Sequence, residues 1–84
     1  MNVFVPNSRN ASKAVMVFIH GGNFQFQGAN SALLDGRYIT QYGDIILVTI
    51  EYRLGALGFL VTGDTPDQIG GNFGIHDQRM ALKW

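Results

Sequence analysis

The 84-residue sequence contains no cysteine, which excludes disulfide frameworks and cysteine-based zinc sites from these residues. Charge is also scarce, because charged side chains make up 14% of the residues and the formal net charge is zero. The six lysines and arginines are scattered along the chain, so they form no basic stripe that would attract a phosphate backbone. The composition therefore argues against nucleic acid as a partner.

Long apolar runs are missing as well. The longest, Ala14–Ile19 and Ile45–Ile50, are far shorter than the roughly 18 residues that a helix needs to cross a bilayer. The first residues, Met1–Pro6, lack the basic start and the apolar stretch of a signal peptide. Asn10-Ala11-Ser12 is an acceptor sequence for N-glycosylation and hints at secretion, although such tripeptides often arise by chance.

Two apolar, β-branched segments predict buried strands. Ala14–His20 is apolar until its last residue, and Ile45–Tyr52 has a similar character, as expected for strands of a parallel sheet buried on both faces. A short helix is predicted over Ala32–Tyr42, and a second helix begins at Asn72, whose side chain is expected to cap it. The glycines of Gly55–Gly58 are expected to break any regular element.

This alternation of strands and helices predicts an α/β fold with two parallel core strands. Two buried parallel strands need helices on both faces and neighbours on both edges, and 84 residues supply too few of either. The final helix reaches Trp84 without a stop signal. We therefore expect residues 1–84 to be an internal segment of a single larger domain.

A pair of glycines follows the first predicted strand, in Phe18-Ile19-His20-Gly21-Gly22-Asn23-Phe24. Ligands of open α/β sheets bind at the carboxyl ends of the strands, and glycine lets a ligand oxygen approach the backbone closely. The loop after the third strand of α/β-hydrolases has this form, and its N–H groups bind an oxyanion. A purely structural glycine turn is one alternative. A phosphate cradle is another, although no Gly-x-Gly-x-x-Gly or Gly-Lys-Ser/Thr pattern is present.

Four blocks of the sequence follow one another at a spacing that is typical of a single family. They are Met1–Pro6, Leu34–Gly36, Leu47–Leu60 and Gly71–Trp84. They resemble segments of the type-B carboxylesterases, cholinesterases and neuroligins, and the resemblance covers nearly the whole chain. It implies a partial α/β-hydrolase sheet with two parallel core strands, a short helix and the start of the helix that precedes the nucleophile strand.

The resemblance also implies a site. Gly21, Gly22 and Asn23 match the oxyanion-hole loop, in which the N–H groups of Gly22 and Asn23 are the donors and Gly21 gives the preceding turn. Asn23 stands where the family usually has glycine, and asparagine is among the few residues that tolerate a left-handed backbone. Phe24 and Phe26 either line the acyl side of the substrate pocket or pack under the loop. The serine, histidine and acidic residue of the catalytic triad lie outside this chain.

The remaining polar residues are given structural roles. His20 is expected to support the glycine loop and not to act as a general base, and His76 is expected to be a partly exposed helix residue. Arg53 and Asp77 have the types and settings of structural ion pairs. The loop serines lack the Gly-x-Ser-x-Gly elbow that activates a nucleophile; they are Ser8, Ser12 and Ser31.

The activity implied by the resemblance is serine-dependent hydrolysis of a small-molecule or lipid carboxylic ester, without a metal or organic cofactor. The 84 residues alone are expected to be inactive, because they lack the nucleophile. Two alternatives stay open: a non-catalytic, neuroligin-like adhesion or signalling protein, and an inactive truncated product. The resemblance suggests a secreted or ER-luminal location.

Overall fold

The computed structural model describes residues 1–9, 12–30 and 35–84. Its strands are β1 (Asn2–Phe4), β2 (Val15–Ile19) and β3 (Ile46–Ile50), and its helices are α1 (Arg37–Gly43), α2 (Gly55–Phe59) and α3 (Phe73–Lys83). Three sequence-based predictions fall outside the described residues: the glycosylation acceptor Asn10, the loop residue Ser31 and the helix start at residues 32–34. No helix in the described ranges is long and apolar enough to cross a membrane.

The strands form one sheet in the order β1-β3-β2. β2 and β3 are parallel, as predicted, with Val15 opposite Ile46 and Ile19 opposite Ile50. β1 pairs with the other side of β3 in the antiparallel direction. Because β2 and β3 run the same way, the loops that follow them leave the same edge of the sheet.

Burial is concentrated on the central strand, β3. Leu47, Thr49 and Ile50 are almost fully buried there, with exposed fractions of 6%, 1% and 1%. The expectation that both parallel strands are buried on both faces is wrong for β2, all of whose residues are exposed. The reason is that, within the described residues, no helix packs extensively against β2, so its faces have no covering layer.

The second difference from prediction is α2, which forms where glycines were expected to prevent regular structure. Gly55 has a φ of 56° and turns the chain after β3. The Gly58 N–H then donates to the Leu54 carbonyl at 3.2 Å. A Cβ on Gly58 would lie 2.2 Å from the Arg53 carbonyl oxygen, so glycine here allows a close approach of backbone to backbone.

The two longer helices also differ from prediction in how they begin. α1 begins at Arg37, so Asp35 and Gly36, which were predicted to be helical, precede it. The Arg37 backbone N–H donates to Asp35 Oδ1 at 3.1 Å. α3 begins at Phe73, close to the predicted start, but the predicted side-chain cap at Asn72 is wrong. Asn72 has a left-handed backbone with a φ of 61°, and its carbonyl accepts the His76 N–H at 3.0 Å.

Candidate functional site

The loop of residues 20–29 follows β2 and contains three consecutive residues with positive φ. The angles are 113° at Gly22, 52° at Asn23 and 58° at Phe24. A left-handed backbone costs an L-residue roughly 1–2 kcal/mol, and asparagine adopts it more readily than phenylalanine does. Such conformations persist only where the surrounding structure fixes them, and they cluster at functional sites.

The turn itself is built around Gly22. Its carbonyl accepts the Gln25 N–H at 2.9 Å and the Phe26 N–H at 3.2 Å. A Cβ on Gly22 would lie 1.9 Å from the Phe26 carbonyl oxygen, whereas a Cβ on Gly21 would meet nothing within 4 Å. Gly22 is therefore required by the turn, and the space beside Gly21 is open.

One segment, residues 51–55 after β3, fixes this loop near its start, in its middle and near its end. The three hydrogen bonds run from Tyr52 Oη to the His20 carbonyl at 2.8 Å, from the Gly55 N–H to the Phe24 carbonyl at 2.6 Å, and from the Ala29 N–H to Glu51 Oε1 at 2.8 Å. The parallel pairing of β2 and β3 makes these contacts possible, because it brings both segments to the same edge.

Several backbone donors of the loop have no acceptor inside the described part of the chain. They include the adjacent N–H groups of Gly22 and Asn23. Unpaired backbone N–H groups are strong donors that take up water or a ligand oxygen. Two adjacent donors on a fixed loop can stabilise negative charge on a ligand oxygen.

A pocket of about 310 Å³ lies beside the loop. Its lining combines Gly21, Asn23 and Phe24 with residues of β2, the segment after β3 and α3, namely Ile19, His20, Tyr52, Ile75 and Gln78. Three of the five predicted site residues thus meet at one cavity. Gly22 supports that cavity through the turn and does not line it.

The two phenylalanines occupy different places. Phe24 lines the pocket and also packs against the rings of Tyr52 and Phe59, with centroids 6.4 and 5.0 Å away. Phe26 is 64% exposed and is not part of the pocket lining. Phe24 thus both borders the cavity and packs against neighbouring rings, while the predicted role of the pair on the acyl side of a substrate pocket stays a prediction.

His20 is buried beside the loop. Its ring stacks on Tyr52, with centroids 4.6 Å apart, and its Nδ1 lies 2.8 Å from the Gly21 carbonyl oxygen. Its Nε2 lies 3.4 Å from Glu51 Oε2. Sequence reasoning missed Glu51, although the only glutamate of the chain directly follows an apolar strand.

Arg53 and Asp77 form the ion pair that their types suggested, and it attaches α3 to the turn after β3. Arg53 Nε and Nη2 donate to the two carboxylate oxygens at 2.7 and 2.9 Å, and the Arg53 N–H adds a bond of 3.0 Å. Hydrogen bonds from the guanidinium and the backbone lower the pKa of Asp77. The guanidinium also lies 5.1 Å from the centre of the Phe73 ring.

The remaining candidates lie apart from the pocket. Ser8 donates to Asp44 and accepts from Lys13, His76 is exposed on α3, and neither residue lines the pocket. Within the described ranges, no group of three or more His, Cys, Asp or Glu side chains is arranged to bind a metal ion.

Comparison with known proteins gives consistent similarities. Residues 1–84 match the profile of the carboxylesterase family. The chain is 42% identical to acetylcholinesterase of Bungarus fasciatus and 40% identical to para-nitrobenzyl esterase of Bacillus subtilis (strain 168), over 100% of its own length in both cases. It covers 14% and 17% of those two proteins. A solved structure of a PNB esterase superposes on 98% of the chain with a TM-score of 0.89 and 40% identity, and the chain covers 18% of it.

Proposed function

Because the chain belongs to the carboxylesterase family, we propose that residues 1–84 are an internal segment of a single larger α/β-hydrolase domain that hydrolyses carboxylic esters. The extent of the comparisons supports the larger domain, since the chain matches over its full length but spans less than a fifth of the relatives named above. The exposed apolar residues of β2 agree with it, because further layers of such a domain would cover them.

In this domain, Gly21, Gly22 and Asn23 form the oxyanion-hole loop. The observation that carries the proposal is the adjacent pair of N–H groups, Gly22 and Asn23, which have no acceptor among the described residues and lie beside a pocket on a loop that residues 51–55 fix at three points. A serine from another part of the domain would attack the ester carbonyl, and these donors would stabilise the oxyanion that develops. Removing one such donor typically costs about 2.7–4 kcal/mol in the transition state.

The substrate is a small-molecule or lipid ester whose acyl part lies against Phe24. This ring is half-exposed, lines the pocket and is braced from behind by Tyr52 and Phe59. Phe26 is assigned a secondary role at the rim, because it is largely exposed. The chemistry of the loop needs no metal or organic cofactor.

The test is hydrolysis of p-nitrophenyl acetate by the full-length protein with Gly21→Ala. An added methyl group at Gly21 meets no atom of the segment within 4 Å, so it leaves the turn intact and occupies space in the pocket. We expect kcat to fall about tenfold or more, as the oxyanion loses access to its donors. Gly70→Ala is the matched control, because its methyl group also enters open space but lies outside the pocket.

The outcomes separate the competing functions. Equal kcat values for Gly21→Ala and the wild type would remove the oxyanion role from this loop. A folded wild-type protein without any turnover, whose residue at the serine position of the Gly-x-Ser-x-Gly elbow is not a nucleophile, would instead favour the non-catalytic alternative.

A further inference from the structure

Asn23 has a side chain for which the proposed oxyanion chemistry has no use. That chemistry takes only its backbone N–H, which any residue except proline would supply. The Asn23 backbone is left-handed, with a φ of 52°, and glycine adopts such an angle at a lower cost than asparagine does. The turn therefore does not require the amide group, which brings two donor hydrogens and one acceptor oxygen to this point of the loop.

A left-handed asparagine is not by itself a site. Asn72 has a similar angle, with a φ of 61°, at the start of α3, and it does not line the pocket beside the loop. Asn23 differs from it in position, because it is exposed and lines that cavity of about 310 Å³. The role of the Asn23 amide is thus to be sought in the cavity and not in the backbone.

The cavity offers few polar side chains that are available to a ligand. Tyr52 donates its hydroxyl to the His20 carbonyl, and the His20 side chain is fully buried. The other polar side chains of the lining are the amides of Asn23, on the loop, and Gln78, on α3. Within the described ranges, neither amide has a hydrogen-bond partner. A ligand in this cavity therefore meets two uncommitted amides on a largely apolar wall.

Of these two amides, that of Asn23 is the closer to the proposed oxyanion donors. It branches from the residue that supplies one of those donors, and a single methylene group separates it from the backbone. A substrate group that contacts it must therefore lie close to the ester carbonyl. The next residue, Phe24, lines the same cavity and is assigned to the acyl part of the substrate, so this group belongs to the acyl chain.

The amide makes the pocket discriminate between acyl chains of equal size. A hydrocarbon chain displaces water from Asn23 and returns no hydrogen bond, whereas an ether or hydroxyl oxygen at the same place accepts the amide N–H. A site with such a donor disfavours an analogue that lacks the polar atom, because the donor is left unpaired. The apolar neighbours, Phe24 and Ile75, contact both kinds of chain alike.

We infer that Asn23 is a specificity-determining residue that favours esters whose acyl chain carries an ether or hydroxyl oxygen on the carbon next to the carbonyl. The inference rests on the proposed function of the loop and narrows its substrate class. The two roles of Asn23 are separable. Its backbone N–H serves every ester, whereas its amide serves only those with this oxygen.

The experiment compares p-nitrophenyl methoxyacetate with p-nitrophenyl butyrate, whose acyl chains differ only by an oxygen atom in place of a methylene group. The ratio of their kcat/KM values is measured for the full-length wild type and for Asn23→Gly. Any difference in intrinsic reactivity, or any general loss of oxyanion stabilisation, affects both proteins or both esters and cancels when the ratios are compared. The ratio of methoxyacetate to butyrate should fall about threefold to tenfold in Asn23→Gly, the equivalent of one hydrogen bond.

Two control variants locate the effect. Asn72→Gly is the same substitution at a similar backbone angle outside the pocket, and it should keep the wild-type ratio. Gln78→Met removes the other uncommitted amide at nearly equal side-chain length, and it should also keep most of the preference. An unchanged ratio in Asn23→Gly, or a loss in Gln78→Met as large as that in Asn23→Gly, would overturn the inference.

A second measurement does not need turnover. The N-ethyl amides of methoxyacetic acid and butyric acid carry the same two acyl chains, and their Kd values can be measured by NMR titration. The wild type should bind the methoxy compound more tightly than Asn23→Gly does, with little change for the other compound. If the wild type hydrolyses neither ester, the proposed function fails, and these Kd values still test the amide contact. Equal Kd values of the two proteins for the methoxy compound would overturn it.

Discussion

The sharpest prediction from the proposed function concerns the substitution Gly22→Ala in the full-length protein. Gly22 has a φ of 113°, a conformation that L-residues rarely adopt, and alanine there carries strain of about 1–3 kcal/mol. The added Cβ would lie 1.9 Å from the Phe26 carbonyl oxygen, about 1.5 Å closer than the 3.4 Å at which ordinary contact begins. The turn must therefore move.

The size of that movement determines the expected loss of activity. A displacement of about 1 Å at a catalytic group can cost on the order of 100-fold in rate, and loss of one oxyanion donor costs about 100- to 1,000-fold. We expect Gly22→Ala to lower kcat at least about 100-fold, with a much smaller effect on KM. The strain takes up a large part of the roughly 5–15 kcal/mol of net stability of a folded domain, so Tm should fall as well, and kcat is compared for the folded protein.

The assay compares kcat, KM and Tm for the wild type, Gly22→Ala and Gly71→Ala. Gly71 also has a positive φ, 76°, and its added Cβ would lie 2.6 Å from Val61 Cγ2, but it does not line the pocket. Gly71→Ala should lower Tm and leave kcat near the wild-type value. A folded Gly22→Ala enzyme with kcat within about threefold of the wild type would refute an oxyanion role for this turn.

Two further predictions concern the Arg53–Asp77 ion pair and the close contact of Gly58 with the Arg53 carbonyl. The pKa of Asp77 is lowered by hydrogen bonds from Arg53, so the charged carboxylate stabilises the fold above the ordinary aspartate range, and this contribution is lost as pH falls. The Tm of the wild type should therefore drop towards or below that of Asp77→Asn between about pH 5 and pH 3, and a pH-independent difference would contradict the coupling. Gly58→Ala, whose Cβ would lie 2.2 Å from the Arg53 carbonyl oxygen, should lower the free energy of unfolding by about 1–3 kcal/mol in chemical denaturation. Gly43→Ala is the control, because its added Cβ would lie an ordinary 3.6 Å from Ile45 Cγ1, and it should lower the free energy of unfolding clearly less. Equal losses of stability in the two variants would argue against the close contact between Gly58 and the Arg53 carbonyl.

Much of the framework could be predicted from local patterns. The β-branched runs that became β2 and β3 are visible in the sequence, and so are the glycine pair after β2 and the helix that begins near Asn72. Local patterns failed where glycine serves a close packing contact. Gly58 is typical of a break in regular structure, yet it lies inside α2, where the nearby Arg53 carbonyl leaves no room for a side chain and so requires glycine.

The exposure of β2 was mispredicted for a different reason. Its apolar residues indicate a strand that is covered on both faces, but burial depends on which elements lie against the strand. In the sheet order β1-β3-β2, β3 is the strand with a neighbour on each side, and β2 is at the edge. An apolar run thus predicts that a strand is present, whereas its exposure depends on the chain that packs around it.

The loop geometry was the least predictable part of the site, because its determinants lie about thirty residues away. Asn23, Phe24 and Gln27 adopt positive φ angles, each of which costs an L-residue roughly 1–2 kcal/mol. The three hydrogen bonds from residues 51–55 help to hold the loop in this shape. Parallel pairing of β2 with β3 brings those residues to the loop. The segment after β3 therefore sets the shape of the loop, and if the loop has the proposed oxyanion role, substitutions at Glu51 or Gly55 should lower kcat even though neither residue lines the pocket.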